Sequence, residues 1–355
     1  MKKSLVALAL MGVFAGAQAQ SSVVIYGTVD AGLMKRTGTT TNVTKRDNNK
    51  LGFKGVEDLG SGLKALFQLE IRYEPDTGTN ESGTRPLFQG ESRVGLQGGF
   101  GTVRLGRGLT AYQATTTQFE PWNGLPTPAG FQTDLQVAGY AAAVPGSGSD
   151  PLGPAGNSGN RFANGLFYNT PVFGGFQLNA TVASKESNGG AAIVGRGTVA
   201  APQYAAGAEA SANPYSFSGT FTQPMFALMA AYERNATETK IWSVGASVKP
   251  IPDLKLMGTI QKQDQDHTKA INAETKAWVI GANYTVGAGK ILAGYGRKTP
   301  DAVIKTKQIS LGYEHNLSLR TYVYADASKR KQPAAGSTTV DTTVNTYSVG
   351  VHHNF

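Results

Sequence analysis

The sequence contains no cysteine among its 355 residues. The chain can therefore form no disulfide framework, and the thiolate ligands of structural zinc sites are missing as well. Lysine and arginine give a formal net charge of +9, but they form no dense cluster. Because such clusters mark nucleic-acid-binding segments, a nucleic-acid partner is not predicted.

Long hydrophobic runs are also missing. After the N-terminal segment, no stretch approaches the ~20 consecutive apolar residues of a transmembrane helix. The N-terminus carries Lys2 and Lys3, then the apolar run Leu5–Ala15, then Ala-Gln-Ala at 17–19. This order of charged region, short apolar region and small-residue cleavage site predicts a signal peptide over residues 1–19 and an exported mature chain, 20–355.

Glycine, by contrast, is abundant, with 45 residues beside 14 tyrosines and 15 phenylalanines. Glycine-rich turns between short β-branched and aromatic runs predict an all-β chain. In the segment Leu63–Tyr73, alternate residues separate into two sets that a strand would place on opposite faces of a sheet. The apolar set is Ala65, Phe67, Leu69, Ile71 and Tyr73, and the mainly polar set is Lys64, Leu66, Gln68, Glu70 and Arg72.

The same alternation predicts sixteen strands, an even number. They lie near residues 23–34, 50–57, 62–73, 92–98, 101–108, 161–170, 175–184, 214–222, 225–234, 239–248, 254–263, 275–285, 289–298, 306–315, 318–328 and 345–355. The connections alternate between tight turns and long loops, which is typical of an up-and-down transmembrane β-barrel. Because an open sheet edge is costly in lipid, the first strand is predicted to pair with the last.

The chain ends with TYSVGVHHNF, the last predicted strand. Phe355 shares one face of this strand with Val351, Val349 and Tyr347. Because the strand closes the barrel, its terminal aromatic residue is predicted to lie in the interfacial aromatic girdle.

Several segments resemble trimeric general-diffusion porins of the neisserial and related β-proteobacterial type. They are SSVVIYGTVDAGL (21–33), LGFKGVEDLGSGLKALFQLE (51–70), GFGTVRLGR (99–107), FYNTPVFGGFQL (167–178) and the terminal strand. The resemblance implies a single all-β domain over 20–355, a sixteen-stranded antiparallel transmembrane β-barrel in the outer membrane of a Gram-negative bacterium, with short periplasmic turns, long extracellular loops and an inward-folded third loop. It also implies a homotrimer, and a membrane-insertion signal in the terminal strand that the barrel-assembly machinery recognises.

The longest connection, 109–160, is predicted to be the constriction loop. Loops of such length are usually functional or disordered. Its first half contains Phe119, Trp122 and Phe131, which can pack against the barrel wall. A surface lid is the alternative interpretation.

A basic wall is predicted on the lumen side of the second to sixth strands. The alternation of side chains along these strands places five basic residues on the lumen side: Lys50, Lys54, Arg72, Arg93 and Arg104. The resemblance adds Arg107 and Arg161. Arg107, in RLGR, matches a channel-arginine position of the family, whereas Arg161 is a weaker match. The chain departs from the family at Lys50, where arginine is usual, and near position 90, where an arginine is absent and Arg93 is the candidate substitute.

Glu120 and Asp134 are the acids assigned to the constriction loop. A basic wall facing an acidic loop would create a transverse field, and charges at the narrow point set ion selectivity. The predicted function is a water-filled, weakly anion-selective channel for passive diffusion. The predicted partners are small hydrophilic solutes and anions, outer-membrane lipid and lipopolysaccharide.

Three other functions were compared with this one. A barrel enzyme would need a nucleophile and a base, but none of the four histidines lies in a catalytic motif and no Gly-x-Ser-x-Gly sequence occurs. The chain is therefore predicted not to be an enzyme and to need no cofactor or metal. A substrate-specific channel and an adhesin or receptor barrel, using the Gly/Ala-rich loop 185–213, remain the alternatives.

Overall fold

The computed structural model describes residues 22–81, 87–132, 161–184, 192–195, 203–205, 212–235, 239–264, 274–301 and 303–355. The predicted signal peptide lies outside these residues, as does the second part of the longest loop. No helix in the described ranges is long and apolar enough to cross a membrane.

Sixteen long antiparallel strands form one closed barrel, which confirms the predicted fold. Three short strands, Asn42–Thr44, Ala192–Gly195 and Gln203–Ala205, lie in the loops. The barrel strands are β1 (Ser22–Arg36), β2 (Lys50–Gly60), β3 (Leu63–Arg72), β4 (Glu91–Gly98), β5 (Gly101–Leu109), β6 (Arg161–Asn169), β7 (Phe176–Ala183), β8 (Tyr215–Thr222), β9 (Phe226–Arg234), β10 (Lys240–Ile251), β11 (Leu254–Asp264), β12 (Glu274–Val286), β13 (Gly289–Pro300), β14 (Thr306–Asn316), β15 (Thr321–Pro333) and β16 (Asp341–Asn354).

The barrel closes where β1 meets β16. Their register runs from Thr28 opposite Asn354 to Arg36 opposite Thr346. Beyond it, Gly27 and Phe355 exchange backbone N–H···O bonds of 3.0 and 3.1 Å. The predicted pairing of the first and last strands is therefore confirmed, and it extends to the last residue of the chain.

Each strand turns apolar residues outward and mostly polar residues inward. On β14, Ile309 and Leu311 are both 58% exposed on the outer face, while Gln308 and Ser310 are buried on the inner face. The four residues of the predicted insertion signal share the outer face of the closing strand. They are Tyr347, Val349, Val351 and Phe355.

The third loop folds into the barrel, as predicted. Thr110 caps the short helix α1 (Ala111–Thr116), its hydroxyl accepting a hydrogen bond from a first-turn N–H. The helix lies against the lumen side of the wall, where Tyr112 N donates to Ser216 Oγ at 2.8 Å.

The wall beneath this loop is apolar, although it faces the lumen. Trp122, Ala129 and Phe131 of the loop form a buried cluster with Val279 and Leu292 of the wall. Burying one large apolar side chain contributes about 1.5–3 kcal/mol. The loop is therefore held by a small hydrophobic core inside the barrel.

Candidate functional site

The lumen face of β2–β5 carries its charges in rows, because residues paired across adjacent strands lie side by side. Successive rows are about 6–7 Å apart, two residues along a strand. From the long-loop end, the rows contain Lys50 and Arg72, then Glu70 and Glu91, then Lys54 and Arg93, then Arg104.

Two carboxylates interrupt the basic wall. Arg72 Nη2 lies 3.0 Å from Glu70 Oε1, and Arg93 Nε lies 3.1 Å from Glu91 Oε2. All four side chains are nearly buried. Arg72 and Arg93 are thus largely compensated. Glu91 was missed by the sequence analysis, although its position two residues before Arg93 places it on the same face.

A β-bulge lies where β5 meets β6, opposite Arg107. Arg104 and Arg107 are three residues apart, so a regular strand would place them on opposite faces. Gly106 has a φ of 128°, and the pairing with β6 shifts register between Gly106 and Gly108. The extra residue lies in β6, where Ala163 and Asn164 stand opposite Arg107 alone, and Asn164 has a φ of 51°. Arg107 pairs regularly with Ser92 of β4, and its side chain is buried.

Arg107 and Arg161 lie together at the upper end of the wall, held by main-chain carbonyls. Arg107 Nε donates to the carbonyl oxygen of Gln89 at 3.0 Å, and Arg161 Nε donates to that of Gly90 at 2.6 Å. Both arginines are buried. They therefore fix the end of the second loop.

Three cations of the wall form no ion pair with any described residue: Lys50, Lys54 and Arg104. Lys54 is exposed, and its Nζ lies 5.1 Å from the centre of the Tyr26 ring. The Arg104 guanidinium donates to the side-chain amide oxygen of Asn169, which is uncharged. These three side chains leave net positive charge on the wall.

Glu120 was expected to line the narrow point of the channel, but its side chain is buried. It is 1% exposed, and its carboxylate accepts hydrogen bonds from the backbone N–H groups of Trp122, at 3.0 Å, and Gly124. It therefore folds the loop and does not line the opening. The other predicted loop acid, Asp134, lies outside the described residues. The described part of the loop exposes only uncharged side chains, such as Gln118 and Asn123.

Burial raises the pKa of Glu120 to about 7, although its backbone hydrogen bonds and Arg46 oppose the shift. A carboxyl group in the released loop would have the ordinary value of 4.5. Docking of the loop is then strongest below the ordinary pKa, weakens as the pH rises toward 7, and is weakest above it. We expect single-channel current fluctuations to increase between pH 5 and pH 8, with the docking equilibrium changing by up to ~100-fold.

The matched variant is Glu120→Gln, which cannot ionise and keeps an acceptor oxygen for one of the two N–H groups, since these bond to different carboxylate oxygens. Its current fluctuations should be independent of pH over the same range. Equal pH dependence in the variant and the parent chain would contradict the assignment to Glu120.

The sequence analysis missed an ion-pair network built around Arg46, which follows the short strand Asn42–Thr44. The Arg46 side chain is fully buried, with Nε 2.8 Å from Asp326 Oδ2 and Nη1 2.7 Å from Glu314 Oε1. Asp326 Oδ1 also accepts a hydrogen bond from Trp122 Nε1 at 3.0 Å. Arg46 therefore connects the first loop to the constriction loop through one carboxylate.

The wall behind Arg46 is also polar and buried. Asp30 Oδ1 accepts hydrogen bonds from Arg46 N at 2.6 Å and from Tyr324 Oη at 3.0 Å. His352 Nδ1 lies 3.1 Å from Asp30 Oδ2. Within the described ranges, no group of three histidine, aspartate or glutamate side chains could hold a metal ion.

The chain matches the family model described as Gram-negative porin over residues 5–335. It is 34% identical to outer membrane porin protein 32 of Delftia acidovorans over 353 residues, covering 95% of this chain and 92% of that protein. It is 28% identical to the major outer membrane protein P.IB of Neisseria lactamica, with 100% of both chains covered.

Solved structures show the same fold. The anion-selective porin from Comamonas acidovorans superposes with a TM-score of 0.75 at 24% identity, covering 94% of this chain and 100% of that chain. OmpT of Vibrio cholerae, in its trimer form, gives 0.66 at 14% identity, covering 94% and 99%.

Proposed function

Since the chain belongs to the Gram-negative porin family, it is an outer-membrane β-barrel that forms a channel for passive diffusion, and we propose that this channel is weakly selective for anions. The selectivity rests on one observation, the three cations of the wall that have no acid partner among the described residues. They are Lys50, Lys54 and Arg104.

The physical basis is a difference between the two sides of the opening. On the wall, the compensated arginines contribute little net charge, so the uncompensated cations determine the local potential. On the loop side, the described residues expose no charge. Anions are concentrated beside the wall and cations are depleted there.

The test is the triple variant Lys50→Gln, Lys54→Gln, Arg104→Gln. We expect its chloride-to-potassium permeability ratio to fall about two- to fivefold at ~0.1 M salt, where the Debye length is about 10 Å. The difference should vanish near ~1 M salt, where that length is about 3 Å. The reversal potential in a KCl gradient measures the ratio.

The matched control is the double variant Arg72→Gln, Glu70→Gln, which removes one ion pair and leaves the net charge unchanged. Its permeability ratio should equal that of the parent chain. If the triple variant keeps the parent ratio, or the double variant changes it as strongly, the uncompensated cations do not set the selectivity.

We further propose that the channel works as a homotrimer, that the barrel-assembly machinery recognises the outward residues of the terminal strand, and that outer-membrane lipid and lipopolysaccharide surround the barrel. The solved OmpT trimer supports the first of these by analogy. The solutes are small hydrophilic molecules and anions.

The packing of two aromatic residues that face inward favours general diffusion over a substrate-specific channel. Tyr322 and Tyr324 pack around the buried Arg46 guanidinium, 5.9 and 4.7 Å from it. They form part of the wall and not a sliding surface for a solute. Membership in a family of channels likewise favours transport over catalysis. Most of the loop on which an adhesin function would depend, 185–213, lies outside the described residues.

A further inference from the structure

A chain of side-chain hydrogen bonds crosses the lumen face of β5–β8 and ends on the constriction loop. The Arg104 guanidinium donates to Asn169 Oδ1, and Asn169 Nδ2 donates to Asn179 Oδ1 at 2.5 Å. Asn179 Nδ2 donates to Ser218 Oγ at 3.2 Å, and the hydroxyl oxygens of Ser218 and Thr115 are 2.8 Å apart. We define these five residues as the relay.

The register of the strands places the relay residues side by side. Asn179 lies directly opposite both Asn169 and Ser218, so these three side chains form one row across β6, β7 and β8. Asn169 pairs with Thr102, two residues from Arg104. Diagonal neighbours of this kind are within reach of a long side chain. The relay therefore follows from the geometry of the sheet.

The positive charge of Arg104 sets the direction of the bonds along the relay. A guanidinium can only donate, so Asn169 must turn its carbonyl oxygen toward Arg104 and its amide nitrogen toward the next residue. Asn179 repeats this orientation, which leaves the Ser218 hydroxyl free to donate to Thr115 Oγ1. Hydrogen bonds arranged head to tail from a charged donor strengthen one another. The bond to Thr115 therefore depends on the charge at the other end.

Asn169 also fixes the position of the Arg104 side chain. Arg93, on the neighbouring strand β4, is a diagonal neighbour of Arg104, and its repulsion exceeds the attraction exerted by Glu91. This repulsion directs the Arg104 guanidinium toward β6, where Asn169 accepts its hydrogen bond. The Arg104 Nε is buried and has no hydrogen-bond partner among the residues that the structure describes. The amide of Asn169 is therefore what holds this cation.

The constriction helix α1 has two further polar contacts with the wall, and they lie outside the relay. Ala111 N donates to Thr181 Oγ1 at 3.1 Å, and Tyr112 N donates to Ser216 Oγ at 2.8 Å. Both contacts hold the first turn of the helix, whereas Thr115 lies in the second turn. Ser216→Ala should therefore loosen the helix while leaving the relay intact.

We propose that the relay positions Arg104 and couples it to the constriction helix, so that a charge that sets selectivity and the loop that narrows the channel move together. Asn169, Asn179 and Ser218 are positioning residues, and Thr115 connects them to the loop. Along the wall, β5 and β8 are about 14 Å apart, three strand spacings. The effect on ion permeation rests on the proposed anion selectivity, whereas the coupling between wall and loop does not.

The test is a double-mutant cycle on the full mature chain refolded into planar bilayers. Thr115→Val removes only the last hydroxyl of the relay. It should increase current fluctuations roughly two- to tenfold, the effect of one hydrogen bond on an equilibrium. It should also lower the chloride-to-potassium permeability ratio by roughly 1.5-fold at ~0.1 M salt. In an Arg104→Gln background, the same change should have little further effect, because glutamine supplies no charge to direct the relay.

Other variants separate the coupling from a general loosening of the loop. Thr115→Ser keeps the hydroxyl and should restore both readouts to the parent values. Ser216→Ala should increase the fluctuations equally in the parent and Arg104→Gln backgrounds. Asn179→Ala interrupts the relay without touching either end, so it should act like Thr115→Val and serves if that variant is not recovered. Gln177→Ala, on the same face of β7 but outside the relay, should behave like the parent chain.

Equal effects of Thr115→Val in the two backgrounds, or parent behaviour of Asn179→Ala, would overturn the proposal. If the parent chain shows no preference for chloride, the proposed selectivity is wrong, but the cycle measured on current fluctuations still tests the relay. If the parent chain prefers chloride and the cycle is additive, the selectivity stands and the relay is wrong.

Discussion

Replacing Arg46 with methionine is expected to lower the free energy of unfolding by about 3–5 kcal/mol, because it leaves buried carboxylates without their cation. Asp326 would keep only the hydrogen bond from Trp122 Nε1, while Glu314 would keep Lys290, at 2.5 Å. Methionine fills a similar volume but supplies no charge. Since Asp326 also holds Trp122, the constriction loop should loosen at the same time.

Two measurements follow this change. Thermal unfolding, read from the heat-dependent shift of the folded band in gel electrophoresis, should occur at a lower temperature. Single-channel records should show more frequent current fluctuations. The control Arg36→Met changes the same residue type at an exposed position at the end of β1. If both variants behave alike, Arg46 does not link the two loops.

The second large effect is expected at Gly27, where the barrel closes. A Cβ at this position would lie 2.3 Å from Phe355 Cζ and 2.4 Å from the carbonyl oxygen of Lys50. Because one of these atoms belongs to the backbone, Gly27→Ala must displace either the closing strand or β2. Overpacking of this kind costs about 1–3 kcal/mol. We expect a lower yield of refolded barrel and a lower unfolding temperature.

Gly99→Ala is the matched control, since a Cβ at Gly99, in the turn between β4 and β5, would meet no atom within 4 Å. It should refold like the parent chain. Wild-type refolding of Gly27→Ala would show that the contact between the Phe355 ring and Gly27 does not contribute to closure.

The strands could be predicted because period-two alternation is dictated by the two environments of the wall, lipid outside and water inside. The alternation fails where these environments change. β15 continues to Pro333, beyond the predicted end at 328, because Lys329–Pro333 still pairs with β16 after the apolar pattern has stopped.

Parity also fails where the backbone or the loops intervene. Arg107 could be assigned only by resemblance, since alternation along β5 places it on the face opposite to that of Arg104, and the sequence does not show the bulge in β6. Arg46 gave no signal, because nothing in a loop sequence shows that it folds inward onto Asp30 and Asp326. Glu120 does lie in the constriction loop, but its carboxylate points into the loop and not toward the channel. The sequence could not show this, since a lone acid in a loop accepts backbone hydrogen bonds as readily as it lines a channel.

The apolar residues on the inner face of the wall also depend on a loop that folds inward. Val279 and Leu292 occupy positions that face water in a simple barrel, and only the docked loop makes them part of a core. Their pattern could have indicated where the loop docks, since apolar residues on the inner face need a cover.

The central claim is that the uncompensated cations of β2 and β5 make this porin anion-selective. The most direct test is the reversal potential of the refolded, full mature chain in a planar bilayer with a tenfold KCl gradient near ~0.1 M, where the charges act over about 10 Å. A potential whose sign shows that chloride permeates faster than potassium is the predicted result. A potential of zero, or one of the opposite sign, would contradict the account.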